Sequence, residues 1–137
     1  MRIVGMSQLG CPCGHTISDT TDSLPYKGYV LSDVRYFPFL QWLVDETQSY
    51  VEAAQAGRVA QWFLQRGYGQ DYLDLKLSHG EMLHDYIHAK LDRLMREMYE
   101  CKACGRIHME TREDNHFARY APDSEKVNGI FAGPDQD

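Results

Sequence analysis

The sequence has no long apolar run and no excess of positive charge. Nothing in it approaches the ~20 consecutive apolar residues of a membrane-crossing helix. Met1 to Gly10 holds one arginine and scattered apolar side chains, without the apolar core, about 7–15 residues long, of a secretory leader. Lysine and arginine total 14 against 20 aspartates and glutamates, a net charge of −6. That balance disfavours broad contact with phosphate backbones, so nucleic acid is an unlooked-for partner. Residues 90–119 do carry 7 basic side chains, but 6 acids are interleaved with them, the pattern of a solvated mixed surface. Also missing are a Walker A loop, a Rossmann glycine fingerprint, a Gly-x-Ser-x-Gly elbow and a His-Glu-x-x-His helix. Catalysis of those kinds has little to stand on, and the expectation leans away from an enzyme. A cytoplasmic, reduced setting follows as the default, where paired cysteines mean metal more often than disulfides.

Cysteine is scarce too, with 4 in 137 residues. All of it sits in two knuckles, Cys11-Pro12-Cys13-Gly14-His15 and Cys101-Lys102-Ala103-Cys104-Gly105, which 87 residues separate. Four thiolates in two close pairs suit one tetrahedral zinc ion with Zn–S bonds of about 2.3 Å. Gly14 and Gly105 can take positive φ freely, which lets the chain fold back on each sulfur pair. A closed set of four sulfurs leaves no open coordination position, so the expected zinc is structural. Two alternatives stay open: a histidine, His15 or His108, in place of one cysteine, and a redox dithiol. The second is weakened because Cys101-x-x-Cys104 follows a helical pattern, whereas a thioredoxin-like pair opens one.

Along the chain, Ile3-Val4 is expected to be extended, and Tyr29-Val30-Leu31 reads as a strand. Ser32 and Asp33 look like helix-entry residues. Tyr36, Phe39, Leu40, Leu43, Thr47, Tyr50, Val51 and Ala54 recur at helical spacing, with Pro38 placed in the first turn. Gly57 divides or weakens that helix, and Gly67 and Gly69 end it. Residues 68–77 form a connector. Ser78 and Glu81 then make a capping box that opens a second long helix running to about Tyr99, with Leu83, Ile87, Leu91, Leu94 and Met98 as its core stripe. Residues 107–111 and 116–120 flank Arg-Glu-Asp-Asn as a hairpin. Gly129 to Phe131 packs back, and 132–137 is a tail.

This order resembles the zinc-ribbon (rubredoxin-like) group, in which two cysteine knuckles from short hairpins share a zinc. The resemblance covers about residues 8–32 and 100–121. It departs from the group's pattern in having one residue between Cys11 and Cys13, and a large helical insertion between the knuckles. It implies an α+β fold: a discontinuous zinc ribbon, with halves 1–34 and 100–131, enclosing a helical hairpin of two or three helices, 35–99, in a single domain.

Two further constellations stand out. Glu81, His84, Asp85 and His88 can line one edge of the second helix and offer a second metal or an acid/base pair, yet a capped helix with boundary histidines needs no ligand. Tyr26, Tyr29, Tyr36, Phe37, Trp62 and Tyr68 read as packing. Trp42 falls outside the Leu40/Leu43 stripe, which suits a partner surface. The reading that results is a zinc-stabilised module that binds another protein, with a helix-borne hydrolase-like metalloenzyme and a nucleic-acid-binding ribbon as the alternatives.

Overall fold

The computed structural model describes residues 8–111, 113, 115–123, 125 and 129–131. The expected strand at Ile3-Val4 and the tail at 132–137 lie outside them. The chain divides into two compact units, one from Met1–Leu31 with Asp92–Asp137, the other Ser32–Leu91. Among the described residues the fold is mixed α and β, with two small antiparallel sheets and four helices.

The first unit holds both sheets. Strands β1 (Gln8–Gly10) and β2 (Thr16–Ser18) form a two-stranded hairpin around the first knuckle. Strands β3 (Lys27–Val30), β4 (Arg96–Glu100), β5 (Ile107–Glu110) and β6 (Phe117–Tyr120) form an antiparallel sheet in the order β3-β4-β5-β6. The register aligns Lys27, Tyr99, His108 and Arg119 in one row across it. Side chains alternate faces along a strand, so Gly28, Met98, Met109 and Ala118 make a row on the other side. There the Phe131 ring lies so close over Gly28 that any Cβ would overlap it. The buried Glu100 carboxylate accepts the backbone N–H groups of Gly129 (2.9 Å) and Ile130 (3.2 Å). The expected return of Gly129 to Phe131 is therefore present, fixed by a carboxylate and a ring contact.

The second unit holds α1 (Asp33–Gln55), α2 (Val59–Leu64), the short α3 (Gln70–Leu73) and most of α4 (His79–Leu94). Its core is aromatic: Tyr50, Trp62, Phe63 and Met82 are buried, with Tyr68, Tyr72 and Tyr86 packed against them. Gly57 stops α1: its N–H reaches the Ala54 carbonyl while the Arg58 N–H reaches back to Ala53, a Schellman ending. The capping box forms as expected, Glu81 N–H donating to Ser78 Oγ (3.2 Å) and Ser78 N–H to Glu81 Oε2 (2.7 Å).

Four expectations are corrected. Helix α4 ends at Leu94, and 96–100 is a strand. Met98 faces Gly28 and Met109, because pairing on both edges satisfies the backbone of this segment. The connector at 68–77 contains α3, so four helices stand where two or three were expected. Pro38 lies past the first turn, since α1 starts at Asp33, and its missing N–H forfeits the bond to Val34. The buried face of α1 is also rotated from the expected stripe: Phe39 and Tyr50 are buried, while Tyr36, Leu40 and Val51 are exposed. Trp42 on the same helix is half-buried, stacked on Phe39 (5.8 Å) and Tyr86 (5.4 Å).

His108 is fully buried, and among the described residues neither ring nitrogen has a hydrogen-bond partner. Burial lowers its pKa, and the charges of Arg119 and Arg106 lower it further. A histidine with a depressed folded pKa stabilises the fold above its unfolded pKa of about 6.5 and loses that stability as pH falls through it, because the unfolded chain takes the proton more readily. Thermal melts from pH 7 to pH 5 are therefore expected to drop more steeply for the wild type than for His108→Leu; equal slopes would refute this.

Candidate metal centre

Each cysteine pair occupies a hairpin turn. In the first knuckle the Cys11 N–H bonds the His15 carbonyl and the Gly14 N–H bonds the Cys11 carbonyl, both at 2.9 Å. In the second, Cys101 N–H bonds the Arg106 carbonyl and Gly105 N–H the Cys101 carbonyl, both at 2.8 Å. Gly14 and Gly105 have φ of 96° and 80°, which L side chains rarely adopt, so the glycine after each pair is what lets the turn close.

The two turns bring their sulfurs together. Cys11 Sγ lies 3.6 Å from Cys104 Sγ, and Cys13 Sγ lies 3.6 Å from Cys101 Sγ. All four sulfurs lie within 4.8 Å of one another, and the cysteines are free. A tetrahedron of about 2.3 Å bonds spaces its sulfurs roughly 3.8 Å apart, so the geometry is the right size for a metal ion. Among the described residues this is the one converging group of metal-ligating side chains, and neither His15 nor His108 belongs to it.

Backbone groups are aimed at the sulfurs. The Cys13 N–H points to Cys11 Sγ, those of Cys104 and Ala103 to Cys101 Sγ, and that of Arg106 to Cys104 Sγ. Burial pushes the Cys11 thiol up to about 12 and raises Cys101 as well. Burial acts on Cys104 in the same sense, but the Arg106 backbone N–H and guanidinium outweigh it, and its pKa falls to about 6. Arg106 Nη1 donates to Cys104 Sγ at 3.2 Å. Sequence reasoning missed Arg106; the only signal was a basic residue two places after a ligand.

The second constellation does not converge. Glu81 is committed to the cap, where the Ser78 N–H holds its carboxylate below the usual range. His84 and His88 stack at 5.9 Å, both exposed, while Asp85 accepts from the Tyr72 hydroxyl at 2.8 Å. Cys13 is exposed and Cys104 half-buried, so the cluster is open to solvent on one side. No helix among the described residues is long and apolar enough to cross a membrane.

The family described as Domain of unknown function (DUF8617) matches residues 7–124, a span that includes both knuckles and every described strand and helix. No curated protein and no solved structure matches the chain.

The guanidinium on Cys104 is a charge-assisted contact to one of the four converging sulfurs; around a bound metal, loss of such an outer contact costs about 10–100-fold in affinity. Arg106→Ala is expected to hand its metal to a chromophoric chelator at least about tenfold faster than the wild type. An unchanged transfer rate would show the contact to be incidental.

Proposed function

This chain belongs to the DUF8617 family, and we propose that it is a protein-binding module whose fold is clipped by one structural zinc ion on Cys11, Cys13, Cys101 and Cys104. The observation that carries the reading is where the sulfurs sit. Of the four buried residues in the core cluster of the sheet unit, Cys11, Ile17, Tyr99 and Cys101, two are ligand cysteines. Among the described residues only Leu9, Tyr26, Cys104 and Phe117, all partly buried, pack against that cluster, so a bound metal would add to a small apolar core. Structural zinc contributes on the order of 10 kcal/mol, comparable with the whole stability of a small domain. Sulfur-only tetrahedral sites suit zinc or iron–sulfur chemistry, and zinc serves the structural role without redox activity. The two hairpin turns facing each other are compatible with the zinc-ribbon likeness. A protein partner is favoured over nucleic acid by the net charge of −6.

Elemental analysis of protein purified without added metal or a histidine tag is expected to give one zinc per chain. Chelation, or Cys104→Ser, is expected to abolish the cooperative thermal transition of the sheet unit. Two metals, the second lost in His84→Ala or His88→Ala, would favour a helix-borne metalloenzyme. Four free thiols in a metal-free chain that still melts cooperatively would overturn the proposal.

A further inference from the structure

Helix α1 is apolar on the side away from its core. Val34, Phe37, Val44 and Val51 are 84%, 69%, 63% and 42% exposed. They fall at the alternating three- and four-residue steps of a heptad seam, with Gln41 and Gln48 filling the remaining places. At about 100° per residue this seam lies roughly opposite the face that buries Phe39, Trp42, Glu46 and Tyr50. A surface helix ordinarily carries charge there.

The charge beside the seam has one sign. Asp33, Asp45 and Glu52 lie on or next to it, and Asp45 and Glu52 accept from the Gln41 and Gln48 amides at 2.8 and 3.0 Å. The fourth acid of α1, Glu46, faces inward, bonded to Arg66 at 2.7 Å. The helix has a single basic residue, Arg35, which the same geometry places far round from the seam.

We infer that this seam docks a basic amphipathic helix of a partner protein, apolar residues against Val34, Phe37, Val44 and Val51 and lysines or arginines against Asp45 and Glu52. The inference rests on the reading of the chain as a protein-binding module and names its surface. A second copy of the chain fits poorly. It would set an acidic flank against an acidic flank, a like-charge juxtaposition that disfavours the pairing, and bring the glutamines of both copies into the seam.

The test uses the full, metal-replete chain and two synthetic helical peptides of about 20 residues, leucine at heptad spacing with lysine elsewhere, and the same with glutamate for lysine. The lysine peptide is expected to bind and to weaken about tenfold between roughly 0.05 and 0.5 M salt, and the glutamate peptide not to bind. Phe37→Ser and Val44→Ser, at exposed positions and expected to keep the wild-type melting temperature, are each expected to weaken binding at least about fivefold. A lysine peptide held equally by the wild type and both variants would overturn the seam while leaving a protein-binding module standing. A chain that binds neither peptide would overturn the seam as a site for a basic helix. A dimer dispersed by Phe37→Ser would overturn the basic partner in favour of a second copy.

Discussion

Everything in the sheet unit depends on bringing Cys11 and Cys13 against Cys101 and Cys104 across the 87 residues between the pairs. Closing a loop of that length costs roughly 4 kcal/mol in chain entropy beyond a constant. Among the described residues its apolar core cluster has four buried side chains, two of them cysteine, a modest burial to set against that cost. Strand pairing helps, because β3 and β4 are hydrogen-bonded neighbours from Lys27–Tyr99 to Val30–Arg96. The helical segment thus leaves and re-enters through adjacent strands, which is the condition under which a long insertion is tolerated. The sulfur cluster and the β3–β4 ladder impose the same closure, one from each end.

The two units satisfy their polar groups differently. In the helical unit every polar edge of the aromatic core has a partner: Trp62 Nε1–H donates to Ser49 Oγ at 3.0 Å, the Tyr86 hydroxyl to Glu46 Oε1 at 3.2 Å, and the Arg66 guanidinium lies 3.7 Å over the Trp62 ring while bonding Glu46. Arginine here seals the rim of an apolar core. In the sheet unit Tyr99 donates to Asp19, which also takes Lys27 Nζ at 2.6 Å, so the buried hydroxyl and the ammonium share one carboxylate. His108, next to Tyr99 in the register, stands outside that network. Buried polar groups are otherwise nearly always paired, and placing an ionisable ring there ties the sheet to neutral imidazole.

The features legible in the sequence were those written in a few adjacent residues. The knuckles, the Ser78/Glu81 box, the stop at Gly57 and the 107–120 hairpin all rest on local turn or cap chemistry, and each is found. What failed depended on partners far along the chain. Leu94 and Met98 are four apart, a spacing that fits both a helix face and alternate positions of a strand. Only the flanking β3 and β5 decide between them. The buried face of α1 was misplaced for a similar reason: Trp42 is drawn inward by Phe39 and Tyr86, and Tyr86 lies 44 residues away. Arg106 reaches Cys104 only because the second knuckle turns between them.

That rotation also explains why α1 has an apolar outer face. A helix with one partner surface needs a single stripe, and the aromatic stripe of α1 already serves its core. Val34, Phe37, Val44 and Val51 are exposed and lie outside that buried cluster, and β-branched valine is a weaker helix former than the charged residues usual on an exposed face. Their presence costs solubility and some helix propensity without return inside the unit. The docking seam we propose would give this second, heptad-spaced stripe its use, with the carboxylates beside it selecting which helices can lie along it.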